Sequence, residues 1–409
     1  MDTDGNRPLR VLTFSTLFPN AAQPVNGVFV ENRLSHLVQS GEITARVVAP
    51  VPWVPQPLVR PGRWDRIAAA PDHEERHGLG VWHPRYPVIP KMGMSVAPLL
   101  MYLGVRNTVA RLLAAADCDL IDAHYFYPDG VAAALLARQF KKPLVITARG
   151  TDLNLIPRFA LPRAQIRWAA RRADGLITVC HALKQPLISL GIPAESVTVL
   201  RNGVDLQAFR PRDRAAARQS LGVSGPVVVS VGLLIERKGH HLVIDAVARM
   251  PELTLLIAGD GPERSALTAR AAAAGLDGRV RFLGEVAHRD LPDIYGAADA
   301  LVLASSREGW ANVLLESMAC GTPVVATDVW GSGEAVTCPE AGLLMPQRSP
   351  DAIVAALSAL LAAPPDRAAT RRHAEQFSWD ATTTGQLSLF RRIVAGHGHP
   401  QRTARMVAA

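Results

Sequence analysis

The strongest constraint in the sequence is a pattern that occurs twice. Short runs of β-branched and other apolar residues alternate with alanine-rich stretches of helical character. Candidate strands in the first half are Arg10–Ser15, Ala45–Ala49, Leu120–Ala123, Leu144–Thr147 and Gly175–Val179. In the second half they are Val227–Val231, Leu253–Ala258, Val280–Leu283, Leu301–Ala304 and Val324–Ala326. Nearly continuous apolar runs separated by helices are the mark of parallel strands buried on both faces. The pattern therefore predicts an α/β chain with two doubly wound, Rossmann-like sheets, and 409 residues suffice for two such domains. The first series ends near Leu200. Arg201-Asn202-Gly203-Val204-Asp205, Pro211 and Gly225-Pro226 then mark a hinge. The expected domains are residues 1–200 and 201–377, followed by a helix at about 378–393 and a frayed tail at 394–409.

Composition narrows the classes further. Apolar residues make up 48% and charged residues 20%, which fits two cores and excludes wholesale disorder. Cys118, Cys180, Cys320 and Cys338 have no C-x-x-C spacing, so neither a zinc knuckle nor a disulfide framework is indicated; scattered thiols suit a reducing cytoplasm. The net charge is +8, and residues 1–200 carry 22 Lys+Arg against 15 Asp+Glu. A basic half can meet nucleic acid, anionic lipid or an anionic substrate. No nucleic-acid-binding signature accompanies it, so nucleic acid is set aside as a partner. The uncharged apolar stretch Met92–Val105 contains Pro98 and is shorter than the ~20 residues of a bilayer span. Asp2 and Asp4 ahead of the first apolar run point to a first strand rather than a signal peptide.

Ligands of open α/β sheets bind beyond the carboxyl ends of strands, and the second half is richest there. Strand Leu301–Ala304 runs into Ser305-Ser306-Arg307-Glu308-Gly309-Trp310-Ala311-Asn312, with a helix carrying Glu316 behind it. Gly309 permits close backbone approach, and the helix start offers free N–H groups and a positive dipole end. Glu308 and Glu316 could divide sugar and ribose hydroxyls between them; the plainer alternative is a capping acid and a solvated helix residue. Gly232 to Gly239, with Arg237 and Lys238, follows the first strand of this half. Gly259-Asp260-Gly261-Pro262 follows the second, and Gly284-Glu285-Val286 the third, where backbone groups could read a base edge.

At these residues the chain resembles the retaining glycosyltransferases of family 4, which have the GT-B fold. Glu308 to Glu316 with Gly321-Thr322-Pro323 is similar to the family's E-x7-E signature, and Asn202-Gly203-Val204-Asp205 to its hinge motif. Lys238-Gly239, Gly259-Asp260-Gly261 and Gly284 follow in the family's order. In the first half, Asn26-Gly27-Val28 resembles the glycine-rich turn after the first strand, His124 with Pro128-Asp129-Gly130 the active-site histidine segment, and Arg149-Gly150-Thr151-Asp152 the H-G-x-D segment. The chain departs from the pattern in having Leu233 for a phosphate-binding arginine, Arg149 for a histidine, Asn26 for a glycine, and Trp310 for a smaller residue.

The resemblance implies two domains facing across a cleft and transfer from a nucleotide-activated hexose, with retention, to a glycan or lipid-linked acceptor. Surface polysaccharide or glycolipid synthesis on the cytoplasmic face would be the setting. It implies that Glu308 binds the donor sugar with the amides near Gly309, Trp310 and Ala311, and that Glu316 binds ribose. Lys238, with Arg237 in place of the missing arginine, would neutralise the departing diphosphate. Gly232, Gly259, Val286 and Asn312 would complete the donor site, with Gly27 closing over it. His124 would stand by the anomeric carbon, the plainer alternative being a satisfied histidine at a strand end, with Arg149, Asp152 and Asp129 on the acceptor side. The negative charge of the leaving diphosphate can be met by fixed cations and helix ends, so neither a metal nor another cofactor is expected. Asp117-Cys118-Asp119 spells the D-x-D metal motif of the other major glycosyltransferase fold, but it precedes a strand and reads as loop. A non-hydrolysing nucleotide-sugar epimerase and a non-catalytic sugar-nucleotide-binding protein are the alternatives. A dehydrogenase is excluded because no G-x-G-x-x-G follows a first strand. Arg163, Arg167 and Arg171 share one helical face, which is either solvated or in peripheral contact with an anionic membrane.

Overall fold

The computed structural model describes residues 7–53, 67–89 and 93–397. Asp2, Asp4, Met92 and, of the expected tail, residues 398–409 lie outside the described residues. Residues 394–396 continue the last helix, Trp379–Gly396, rather than fraying. The chain divides into two compact units, Met1–Arg201 with Asp380–Ala409, and Asn202–Trp379.

The first unit is built on an eight-stranded sheet of order β10-β9-β8-β7-β1-β2-β5-β4. Its strands are β1 Leu9–Phe14, β2 Ile43–Val48, β4 His73–Arg76, β5 Leu79–Trp82, β7 Leu120–His124, β8 Leu144–Ala148, β9 Gly175–Thr178 and β10 Val197–Val199; β3 Val51–Trp53 and β6 Arg85–Pro87 pair separately. All pairs are parallel except β4 with β5. The helix Trp379–Gly396 returns to this sheet, adding Leu387, Leu389, Phe390 and Ile393 to the core around Val11, Leu34 and Val145. Gly175 lets it come close, since a Cβ there would lie 2.6 Å from Ile393 Cδ1.

The second unit has a wholly parallel sheet of order β13-β12-β11-β14-β15-β16. Its strands are β11 Val227–Val231, β12 Thr254–Ala258, β13 Val280–Gly284, β14 Ala300–Leu303, β15 Val324–Thr327 and β16 Gly342–Met345. This is the dinucleotide-fold order, in which the chain reverses direction of travel between β11 and β14. All ten expected strands occur, with boundaries moved by at most two residues. Six were missed, each three or four residues long. That is too short for periodicity to register, and β4, His-Glu-Glu-Arg, carries the charge typical of a protected sheet edge.

The strand-end loops of the second unit touch through glycines. A Cβ on Gly259, at φ +144°, would lie 2.0 Å from the Gly232 carbonyl oxygen, and one on Gly261 2.6 Å from the Leu234 oxygen. The Gly-Asp-Gly-Pro turn is therefore a backbone-to-backbone contact between the loops after β11 and β12. Gly259→Ala should cost well over the ~1–2 kcal/mol of a left-handed backbone alone. Gly278→Ala, at φ +80° with nothing within 4 Å of its Cβ, should cost only about that much. Equal shifts of the melting temperature in the two variants would reject the contact.

Candidate active site

The switch point of the second unit brings two loops together beyond the strand ends. After β11 comes the turn Glu236–Lys238, closed by Gly239 at φ +75°. A Cβ on Gly239 would lie 2.1 Å from the Ala304 carbonyl oxygen, so only glycine lets this turn rest on the end of β14. The Ser306 amide then donates to the Arg237 carbonyl (2.8 Å), and Arg237 Nη1 donates to the Arg307 carbonyl (2.8 Å). The result is that Lys238 Nζ meets Glu308 Oε1 at 2.7 Å and Arg237 Nη1 stands 3.6 Å from Oε2. Ser305 Oγ donates to Oε1 as well (2.6 Å). Burial pushes the Glu308 carboxyl up, but Lys238, Arg237 and these hydrogen bonds outweigh it and hold it below its ordinary value. Arg237 thus reaches the carboxylate that Leu233, 55% exposed, leaves alone.

Glu316 is organised differently. The helix begins at Asn312, so Glu316 stands about one turn up it. It is 8% exposed, accepts from Tyr295 Oη (3.0 Å) and lies 3.2 Å from His288 Nε2. Burial lowers the His288 pKa, but the Glu316 carboxylate raises it by more. The His288 ring in turn stands edge-on to Phe209, centroids 4.8 Å apart. The capping and solvated readings of the two glutamates fail. The helix N-cap, Ala311, has no side-chain cap, and both carboxylates are buried and bonded. Gly232, at φ +146°, faces the Lys238 stem, while Gly309, Ala311 and Asn312 line the turn between the glutamates. Asn312 Oδ1 takes a bond from Asn202 Nδ2 (3.3 Å). Val286 is half-buried after β13. Trp310 packs inward. Its indole donates to the Asn202 carbonyl (3.0 Å) and its ring lies against Phe377, so it fastens the site from behind. Ser305, Tyr295, His288 and Phe209 were missed by sequence reasoning. Ser305 stood inside the motif and could have been found; the others lie far from it in the chain and carry no local signal.

In the first unit the equivalent switch point lies between β1 and β7. Gly27, at φ +70°, stands against the Leu17 backbone, and Asn26 Nδ2 donates to the Thr16 carbonyl (3.1 Å). His124, at the end of β7, is 1% exposed. Its Nε2 meets Asp122 Oδ2 at 3.0 Å and its Nδ1 meets the Arg149 guanidinium. A guanidinium can only donate, so Nδ1 accepts and the proton sits on Nε2. Burial drives the pKa down to about 4 despite Asp122. His124 is therefore a neutral ring with both nitrogens engaged. Gln386 Nε2 also reaches Asp122 (3.1 Å), and Gln386 Oε1 accepts from the buried Arg33 (2.6 Å).

The two aspartates expected on the acceptor side are likewise engaged. Asp152 accepts from the amides of Phe126 (2.7 Å), Arg149 (3.1 Å) and Gly150 (2.6 Å). Asp129 accepts from the Thr16 amide and from Thr16 Oγ1 (3.1 Å), and burial pushes its pKa up to about 7. Both are fully buried and tie loops together rather than presenting oxygens to a ligand. Asp117 and Asp119 are committed to Lys142 (2.7 Å), Arg7 (2.9 Å) and Arg10 (2.8 Å). Among the described residues no group of three His, Cys, Asp or Glu side chains could hold a metal.

The chain resembles known proteins over both halves. A putative teichuronic acid biosynthesis glycosyltransferase of Bacillus subtilis is 27% identical over 332 residues, 79% of this chain and 82% of the relative. The D-inositol 3-phosphate glycosyltransferase of Mycobacterium tuberculosis is 34% identical over 312 residues, 70% of this chain but 64% of the relative's own length. Among solved structures, a sucrose-phosphate synthase from Thermosynechococcus elongatus superposes with a TM-score of 0.77 at 22% identity, over 95% of this chain and 100% of that one. Anabaena HepE, in complex with UDP and glucose, gives 0.71 at 23% identity, over 94% and 100%. Residues 58–208 match the family described as Glycosyltransferase Family 4, and residues 212–377 match Glycosyl transferases group 1. With both halves matched in order and two Rossmann-like sheets beneath them, the chain belongs to the family 4, group 1 glycosyltransferases of GT-B fold.

Proposed function

We propose that this glycosyltransferase moves a hexose, with retention of anomeric configuration and without a metal, from a nucleoside diphosphate to a glycan or lipid-linked acceptor. The second unit holds the donor, the first serves the acceptor, and the work belongs to polysaccharide or glycolipid synthesis on a cytoplasmic face. The observation that carries the reading is the Glu308 carboxylate held between Lys238 and Arg237 at the switch point. These two cations lie at the strand ends where a diphosphate is bound in this fold. Breaking the bond from the anomeric carbon to the phosphate oxygen sends an electron pair to the diphosphate, and cations already in place stabilise that charge without reorganising. Glu308 then takes sugar hydroxyls and Glu316, backed by Tyr295 and His288, takes ribose. Neither the engaged His124 nor the ion-paired Glu308 is a free base, which leaves the departing phosphate oxygen to accept the acceptor's proton. The UDP bound in the HepE structure makes UDP the first nucleotide to test.

Calorimetric titration with UDP and UDP-glucose tests the division of labour. Glu316→Ala should weaken both, because ribose is common to them. Glu308→Ala should leave UDP affinity nearly intact while cutting turnover. Equal losses of UDP affinity would reject the assignment.

Lys238→Ala should lower kcat by roughly two to three orders of magnitude, the scale of losing one preorganised donor. Turnover of the unmodified chain should survive a strong chelator. Loss of activity that magnesium or manganese restores would refute the metal-free step.

A further inference from the structure

The first unit carries a surface that donor chemistry does not use. The helix Ala160–Ala170 buries Pro162, Ile166, Ala169 and Ala170 and leaves Arg163, Arg167 and, at its end, Arg171 exposed. None of the three has an ion-pair partner among the described residues. Arg163 also lines, with Arg158, an open depression of about 430 Å³ whose other walls include Leu153, Pro157, Pro186 and Leu190. The bland reading of such a row is a solvated cationic face, but its neighbours are not those of an ordinary solvated face.

Ten large apolar side chains are exposed among the described residues, and only Leu233 belongs to the second unit. Six of the ten, Met94, Val96, Leu99, Leu103, Phe159 and Leu161, sit just before or within the first two turns of the helices Ala97–Ala115 and Ala160–Ala170. The two starts are fastened together. Gln165 Nε2 donates to the Ser95 carbonyl (3.0 Å), and Tyr127 Oη reaches both Gln165 Oε1 (2.9 Å) and the Met94 carbonyl. Leu99 and Leu103 share one helical face, and exposed Arg106 follows them one turn later. An apolar cluster of this kind marks an interaction surface rather than scattered exposure.

We propose that this face docks on an anionic phospholipid bilayer. The six apolar side chains enter the boundary between head groups and acyl chains, and Arg106, Arg163, Arg167 and Arg171 meet the lipid phosphates. Apolar tips bordered by unpaired cations are the chemistry of an interfacial helix face, and the basic excess of residues 1–200 adds long-range attraction of the same sign. Among the described residues no single helix is long and apolar enough to cross a membrane, so the contact is interfacial and reversible. The face deepens the proposed function, since it sets the acceptor unit at a lipid surface, but its geometry does not depend on that reading.

Vesicle co-sedimentation of the full chain tests it, with phosphatidylglycerol-containing and pure phosphatidylcholine vesicles compared. The unmodified chain should pellet with the former and be partly released as salt rises. Arg163→Gln, Arg167→Gln and Arg171→Gln combined should weaken that partitioning about a hundredfold, at about fivefold per arginine, and sharply reduce the preference for the anionic lipid. Leu99→Ser with Leu103→Ser should weaken it at least about tenfold and leave a residue of binding that salt removes completely. Each variant should keep the thermal shift given by UDP, which reports folding and the donor unit separately. A chain that shifts with UDP but ignores both vesicles overturns the membrane face alone; one that binds vesicles without responding to any nucleotide overturns the donor reading alone. Variants that sediment like the unmodified chain, or that change its self-association instead of its lipid binding, also overturn the proposal.

Discussion

The second unit is organised around the meeting of one carboxylate with two cations. Lys238 and Arg237 reach Glu308 because the turn that carries them lies directly on the end of β14, and that close approach exists because Gly239 has no side chain to meet the Ala304 carbonyl. The contact between the Gly259 and Gly232 backbones fixes the same loop from its other side. Three charged groups placed this way would be costly if left unpaired at so low an exposure. Together they leave one net positive charge, and they remain near the surface, where the proposed diphosphate would compete for the cations. The packing behind them is of the ordinary kind: Trp310 against Phe377 and the Asn202 carbonyl, and the apolar strands β11 and β14 beneath.

The first unit places its ionisable groups deeper. His124, Asp122, Arg149, Arg33 and Gln386 form a bonded set almost without solvent, and Asp129 and Asp152 act as buried staples of the strand-end loops. Such a set holds a shape. It fixes the tautomer of His124 and the loops after β7 and β8, and its cost in desolvation is visible in the direction of every shift, His124 and both arginines down, Asp129 and Asp152 up.

Much of this was legible in the sequence where chemistry and chain order coincide. The two sheets could be read because their central strands are apolar runs long enough to show no alternation, and the candidate site because Glu308, Gly309 and Glu316 lie within one segment. Partners that come from elsewhere were not legible. Tyr295 and His288 approach Glu316 across 21 and 28 residues, and nothing in their neighbourhoods announces it. The burial of His124, Asp129 and Asp152 was not legible for a related reason. A motif gives residue type and place, but burial and the choice of hydrogen-bond partner are set by packing from β1, β8 and the returning C-terminal helix. The exposed apolar cluster at the two helix starts was invisible for the opposite reason, because only the folded surface shows which leucines stay uncovered.

The proposed function requires the loops after β11 and β14 to form one nucleotide site. A crystal structure of the full chain with UDP decides this. The diphosphate should lie within hydrogen-bond distance of Lys238 Nζ or the Arg237 guanidinium, and the ribose hydroxyls on the Glu316 carboxylate. A nucleotide bound elsewhere, or one bound here while Glu308 keeps both cations and Glu316 touches no ribose oxygen, would contradict it.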